Sequence, residues 1–126
     1  MPQDDVQARK WYVKAAAQGQ VKAQFNLGTL CFNGEGGPKD YQQALQWFPL
    51  AADQGEALAQ TKIAIMYDDG HGVPRDRVQA YKWSSLAATN GDKPAPMLRD
   101  LLAKQMTPAQ IAEAQKRARE WMPKGK

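Results

Sequence analysis

Apolar residues recur along the chain at the spacing of α-helices. In the segment that follows Asp40, the side chains of Ala44, Trp47 and Ala51 stand at positions i, i+3 and i+7 and therefore share one face. Asp40 can accept hydrogen bonds from the free backbone N–H groups of a first helical turn, and Gly55 can end the helix in a left-handed conformation. The pattern therefore predicts an amphipathic helix between Asp40 and Gly55.

A second, shorter helix is predicted over residues 21–32 and again over residues 57–67. Its apolar stripe consists of residues at helical spacing in both copies: Ala23, Leu27 and Leu30, then Ala59, Ile63 and Met66. Segments rich in glycine and proline follow both helices, at 34–38 and 70–74, and interrupt the pattern. No strand-like alternation of useful length is present, so the predicted fold class is all-α.

These segments repeat with a period of 36 residues. Residues 4–39 and 40–75 share 13 identities in 36 positions without a gap. Several columns hold one residue type in three successive copies, among them Asp4, Asp40 and Asp76; Trp11, Trp47 and Trp83; and Gly19, Gly55 and Gly91. The repeat predicts stacked helix pairs, because each pair has too little apolar surface to close a core alone. We interpret the three indoles as interior packing.

The segments ARKWYVKAAAQG, ALQWFPLAADQG and AYKWSSLAATNG, together with AQFNLGTLCFNGEG, resemble Sel1-like repeats, which are related to tetratricopeptide arrays. The resemblance covers roughly residues 4–91. It implies a right-handed α-solenoid of about six to seven stacked helices. Its repeat units would be 4–39, 40–75 and a partial unit 76–104.

A capping helix is expected to follow the repeats over residues 107–121. Thr107 is a suitable N-cap and Pro108 suits the first helical position. Pro49 lies inside a predicted helix, where we expect a local bend rather than a break. Together these segments predict a single repeat domain over residues 1–126.

The resemblance also implies a function. Members of the family typically act as adaptors or scaffolds that bind a protein or peptide, with no catalysis and no cofactor. Some resemble inhibitors of bacterial effector enzymes, and this immunity role is the alternative interpretation. Many are exported by bacteria, so we expect a bacterial protein that is periplasmic or exported if a leader was removed, and cytoplasmic otherwise. The first helix either follows upstream repeats or is a terminal cap, whose exposed face would favour a homodimer.

Composition offers few candidates for chemistry. The 126 residues include 17 basic and 13 acidic ones, and a net charge of +4 is too mild and too scattered to indicate a nucleic-acid partner. The apolar runs are too short to span a bilayer, and the N-terminus lacks the apolar region of a signal peptide. Cys31, the single cysteine, excludes an internal disulfide and is predicted to be a buried small residue. A single histidine argues against a metal centre.

The candidate contact residues are those that differ between copies while their neighbours agree. In the predicted shorter helix they share one face at i, i+4, i+7 and i+11: Lys22, Asn26, Thr29 and Asn33. The equivalent positions of the next copy are Leu58, Lys62, Ile65 and Asp69. In a tetratricopeptide-like superhelix the first helix of each pair lines the concave wall, so we expect a protein or peptide partner there. The alternative is an ordinary solvated face. Phe25 and Phe32 flank the first stripe and would be anchors if exposed.

Two further interpretations belong to other classes of protein. A hydrolase could use Asp68, Asp69 and His71, which lie close together in the sequence. Adjacent carboxylates at a helix end and a histidine between two glycines are, however, more typical of solvated side chains. The other alternative is a structural fragment that only self-assembles.

Overall fold

The computed structural model describes residues 5–121, which form seven α-helices and, over that range, no β-strand. The helices are α1 (Asp5–Ala17), α2 (Val21–Asn33), α3 (Tyr41–Ala52), α4 (Ala57–Asp69), α5 (Arg77–Thr89), α6 (Ala95–Ala103) and α7 (Pro108–Glu120). The predicted all-α class is confirmed. None of the helices within 5–121 is long and apolar enough to cross a membrane.

The prediction that α2 and α4 are shorter than their neighbours is wrong. Each has 13 residues, against 12 in α3. Both helices continue through polar residues as far as a left-handed glycine, Gly34 or Gly70, each with φ of +73°. The last turn is set by this glycine, whose backbone N–H bonds back into the helix, rather than by the end of the apolar stripe.

Aspartate side chains begin helices where the sequence predicts them. The carboxylate of Asp40 accepts a hydrogen bond from the backbone N–H of Gln43 at 3.0 Å. Asp76 accepts one from Gln79 at 3.1 Å. Asp4, the third predicted cap, lies outside the described residues. These caps satisfy N–H groups that have no partner inside the helix.

The helix bounds also test the predictions for Pro49 in α3 and for the start of α7. α3 continues from Tyr41 to Ala52 through Pro49, so the proline does not break the helix. Thr107 begins α7 with Pro108 in its first turn. The Thr107 hydroxyl accepts from the N–H of Gln110 at 3.1 Å, and the Gln110 side chain accepts from the N–H of Thr107 at 2.9 Å. The capping box is therefore complete.

The chain divides into two compact units, residues 1–51 and 52–126. In the first unit, α1 packs against α2. Phe48 of α3 is fully buried, and its ring lies 5.9 Å from that of Phe25. A Cβ added to Gly28 would come within 2.7 Å of the Phe48 ring. The glycine therefore provides the space that the aromatic ring fills.

A half-buried arginine connects α1 to the end of α2 and the loop that follows it in the same unit. The Arg9 guanidinium donates to the backbone carbonyls of Leu30, at 3.0 Å, and Pro38, at 3.4 Å. A Cβ on Gly37 would lie 2.6 Å from this guanidinium. Gly37 thus leaves room for Arg9 beside the loop.

In the second unit, α5 packs against α4, α6 and α7. The buried cluster at its centre consists of residues of α5, α6 and α7 and the residue before the N-cap of α7: Ala80, Tyr81, Leu102, Met106 and Ala114. Alanines at positions 80 and 114 allow the axes of α5 and α7 to approach closely. The capping helix is therefore part of this unit's core.

The burial of the three repeated tryptophans differs from the prediction. Trp83 is buried, with the Trp121 ring edge-on at 6.2 Å and the Lys82 ammonium 4.5 Å from its centroid. Trp47 is half-buried. Trp11, however, exposes 73% of its surface, so the interpretation of all three indoles as interior packing is wrong for Trp11. The repeat fixes the residue type, but burial requires a second helix to lie over the ring.

Candidate functional site

A groove lies between α1 and α2 in the first unit. Its volume is about 530 Å³, and it is lined by side chains of both helices and the residue between them: Ala8, Trp11, Tyr12, Ala15, Gln20, Lys22, Ala23 and Asn26. Ala8 and Ala15 share one face of α1 with Trp11 and Tyr12, and Ala23 of α2 adds a third methyl group to the apolar surface of the groove. The groove is therefore lined by two aromatic side chains, three alanines and three polar side chains.

Trp11 also lines a second hollow, of about 470 Å³, on α1 itself. The other side chains around it are Gln7, Lys10, Val13 and Lys14. The indole therefore stands between two depressions. Within the described residues, the side chains that line both come from α1, α2 and Gln20.

Positive charge is concentrated on the same two helices. Between Val6 and Gly34 the sequence has no acidic residue and four cations: Arg9, Lys10, Lys14 and Lys22. Outside this segment the other 13 basic residues are balanced by all 13 acidic ones. The segment from Val6 to Gly34 therefore carries four positive charges that no acidic residue within it offsets.

The structure brings two of the four predicted α2 residues to the groove. Lys22 is exposed and Asn26 is half-buried, and both line the groove with Trp11. Thr29 is half-buried and its hydroxyl donates to the Phe25 carbonyl of its own helix at 3.0 Å.

Asn33, the last residue of the α2 stripe, is exposed. Its amide donates to a carboxylate oxygen of Glu35 at 3.3 Å. Thr29 and Asn33 therefore make local hydrogen bonds and do not line the groove.

The predicted α4 residues lie in the second unit. Lys62 and Ile65 are half-buried, and Asp69 is exposed. Leu58, at the start of the same helix, is 48% exposed. On this side of α4 the Thr61 hydroxyl donates to the carboxylate of Asp92.

Sequence reasoning missed two apolar residues of α6 in this unit. Met97 is 70% exposed and Leu101 is 51% exposed. Leu101 stands 36 residues after Ile65, so the repeat period itself marks this position as a third copy of the predicted face. Trp11 was missed because its column suggested burial, although the charge pattern around it was a visible signal.

The two phenylalanines beside the α2 stripe are not exposed anchors. Phe25 packs on Phe48, and the Phe32 ring lies 5.1 Å from the ring of Tyr41. Both phenylalanines are half-buried. They stabilise the fold of the first unit.

The three residues proposed for a hydrolase differ in their burial and contacts. Asp68 is half-buried: its backbone carbonyl accepts from Arg75 at 2.6 Å, and its carboxylate lies 4.0 Å from the same guanidinium. Asp69 is exposed, and His71 is half-buried rather than solvated as predicted. Within residues 5–121 no group of three or more His, Cys, Asp or Glu residues could hold a metal ion.

The prediction of a buried cysteine is confirmed. Cys31 is 1% exposed. Burial raises the pKa of its thiol; Arg9 nearby lowers that pKa and Asp40 raises it further. The thiol is therefore protonated and inaccessible at neutral pH, which is unsuitable for a nucleophile.

A sequence model of the Sel1 repeat matches the chain at residues 1–20, 21–56 and 57–92. The two full matches begin at α2 and α4, with the same 36-residue length as the repeat found in the sequence. A comparison with curated proteins gives no match.

Two solved structures are similar over nearly the whole chain. One is a protective antigen of uropathogenic Escherichia coli strains that displays an SLR fold; it is 36% identical, with a TM-score of 0.92, over 96% of this chain and 27% of that one. The other, a Sel1 repeat protein from Oxalobacter formigenes, is 31% identical, with a TM-score of 0.79, over 95% of this chain and 51% of that one. The chain thus spans 27% and 51% of the lengths of these relatives. The predicted α-solenoid class is confirmed.

Proposed function

Since the chain belongs to the Sel1 repeat family, whose members are generally protein–protein interaction modules, we propose that it binds a protein or peptide partner and catalyses no reaction. The surface in the first unit is the α1–α2 groove, with Lys22 and Asn26 from the predicted stripe. Thr29 and Asn33, which lie outside the groove on the same helix, are the other proposed contacts of α2. In the second unit the proposed contacts are Lys62, Ile65 and Asp69 of α4.

The observation that carries this proposal is the exposure of Trp11 beside a polar-edged groove. Tryptophan is among the residues that contribute most to binding energy at interfaces, because a large rigid ring buries much apolar surface and loses little conformational entropy. The groove is built on two packed helices, so its shape is formed before a partner arrives. Such preorganisation lowers the entropic cost of binding.

Two features favour binding over catalysis. The Cys31 thiol is buried and its pKa is raised, so it is not a nucleophile. Asp68 is held by Arg75 at the end of α4, where the contact stabilises the loop. The inhibitor and hydrolase interpretations stay predictions, because neither has a structural observation in its favour.

A randomised peptide-display selection on the immobilised chain tests the proposal. We expect enriched peptides that bind the folded protein and not an unrelated helical protein of similar charge. Lys22→Glu should weaken the binding of peptides that occupy the groove, and Lys62→Glu should weaken the binding of peptides that contact α4. Neither substitution should change the melting temperature. A selection that enriches no peptide would overturn the proposed function. A fall in melting temperature for Lys62→Glu would instead assign that residue to the fold.

A further inference from the structure

We propose that the α1–α2 groove recognises an acidic segment of a partner protein that carries one large apolar side chain. This inference rests on the proposed function and specifies its ligand. The apolar side chain packs on the Trp11 indole, and carboxylates on either side of it pair with lysines of α1 and α2.

The apolar half of the argument comes from Trp11 and its surroundings. The ring is 73% exposed and borders two hollows, of about 530 and 470 Å³. Ala8, Ala15 and Ala23 present only methyl groups to the larger hollow. One aromatic or branched aliphatic side chain can therefore lie against the indole and these methyl groups, and water leaves both apolar surfaces.

The charged half comes from three lysines around the same ring. Lys10 and Lys14 line the smaller hollow and Lys22 lines the larger one, and all three are exposed. Among the described side chains that line the two hollows, none is acidic. An acidic segment thus meets cations on both sides of its anchor, which accelerates association and selects against neutral or basic segments.

The same charges disfavour a second copy of this chain as the occupant. A symmetric dimer through α1 would place Lys10 and Lys14 of one copy near the same lysines of the other. Like charges that face each other across an interface are destabilising. A homodimer through the first helix therefore needs a compensation that the segment from Val6 to Gly34, which has no acidic residue, does not offer.

The composition of the selected peptides tests this inference separately from the proposed function. We expect the enriched peptides to be rich in Asp and Glu and to contain one Trp, Phe or Leu. If peptides are enriched but are neutral or basic, the inference fails and the proposed function stands. If no peptide is enriched, both fail.

Binding of one enriched peptide, labelled with fluorescein, then locates the site by fluorescence anisotropy. Trp11→Ala should weaken binding by about tenfold or more, and the double variant Lys10→Glu, Lys14→Glu by about tenfold, with affinity falling as salt is raised. The matched control is Lys104→Glu, which reverses an exposed charge in the second unit and should leave affinity unchanged. An equal loss for Lys104→Glu and Lys10→Glu would overturn the proposed site, because it would reflect net charge alone.

The same series tests three other possible occupants of the groove: an anionic membrane, single-stranded DNA and a second copy of this chain. Vesicles of phosphatidylserine and phosphatidylcholine, and a single-stranded oligodeoxynucleotide, replace the peptide, and sedimentation velocity reports the oligomeric state. We expect weaker binding to both probes than to the peptide, and a monomer. Tighter binding to vesicles or DNA that is lost in Lys10→Glu, Lys14→Glu, or a dimer that is lost in Trp11→Ala, would overturn the proposal.

Discussion

At the residue scale, a buried glutamine at the same repeat position connects neighbouring helices in each unit. Gln24 is 4% exposed and its amide donates to the Ala16 carbonyl at 3.3 Å. Gln60 is fully buried and donates to the Ala52 carbonyl at 3.0 Å, and its oxygen accepts from Asn90 at 3.0 Å. Each amide satisfies a carbonyl in the last turn of the preceding helix. The repeat therefore preserves a polar contact inside the core.

Gln60→Leu keeps the approximate volume of the side chain and removes these hydrogen bonds. The Ala52 carbonyl then lacks its side-chain donor, and we expect the free energy of unfolding to fall by about 1–3 kcal/mol. Urea unfolding followed by circular dichroism measures the change. Asn90→Ala is the control, with a smaller loss because Asn90 is exposed. An unchanged midpoint for Gln60→Leu would show that the contact does not stabilise the fold.

Gly28→Ala reverses the usual effect of this substitution in a helix. Alanine normally stabilises a helix relative to glycine by about 1 kcal/mol. Here the new Cβ would lie 2.7 Å from the buried Phe48 ring, so we expect a loss of about 1–3 kcal/mol from overpacking. In a Phe48→Leu background the same substitution should cost less, because the smaller side chain can move aside. Equal effects in both backgrounds would contradict the steric explanation.

The thiol of Cys31 gives a prediction for pH. Because burial raises its pKa, the folded state favours the protonated thiol; this stabilisation is complete below the thiol's ordinary pKa and is lost as pH rises through the folded-state pKa. The stability difference between the wild type and Cys31→Ala should therefore shrink in alkaline buffer. A difference that grows with pH would contradict the direction of the shift. A thiol reagent should label the native protein far more slowly than the protein in denaturant.

At the scale of the helices, the start signals in the sequence were reliable. Asp40, Asp76 and Thr107 cap the helices that they were predicted to begin. These signals act within a few residues of the chain, so they can be read without knowledge of the tertiary structure. The predicted ends of α2 and α4 were too early, because the apolar stripe stops before the helix reaches its left-handed glycine.

The capping box of α7 can be tested directly. Thr107→Ala leaves an N–H of the first turn without its side-chain acceptor, and we expect a loss of about 1 kcal/mol. Since α7 packs on α5, this loss should appear in the thermal unfolding of the protein and not only as fraying of one helix. Thr107→Ser keeps the hydroxyl and should retain most of the stability. Equal losses for the two variants would assign the effect to packing of the threonine methyl group.

At the scale of the whole molecule, the distribution of charge is more informative than its sum. Residues 6–34 carry four positive charges and no acidic residue, and the basic and acidic residues of the rest of the sequence sum to zero. Four like charges on two adjacent helices produce a local positive potential, whereas mixed charges largely cancel beyond a Debye length. A partner of the first unit therefore meets a cationic surface on α1 and α2.

Cation-exchange chromatography can measure this asymmetry. We expect Lys10→Gln, Lys14→Gln to lower the salt concentration at elution more than Lys93→Gln, Lys104→Gln, although both double variants remove two positive charges. The acidic residue nearest to the first pair, Asp5, precedes Lys10 by five residues, whereas Asp92 is adjacent to Lys93 and Asp100 precedes Lys104 by four. Equal shifts would mean that the resin responds only to net charge.

The sequence by itself determined the repeat, the helix content and the family of this protein. Helical spacing of apolar residues, capping side chains and left-handed glycines are local features, and a 36-residue period makes each of them recur. The same reasoning proposed Lys22 and Asn26 as contact residues, and the structure places both beside Trp11.

Only the tertiary structure decided which members of a repeated column are buried. Trp83 lies beneath Trp121 of the segment that ends α7, whereas Trp11, with the same residue type in the same column, is exposed between two hollows. A residue type is encoded at its own position, but its burial depends on which other helix lies over it. That difference turns one packing residue of the repeat into the centre of the proposed binding site.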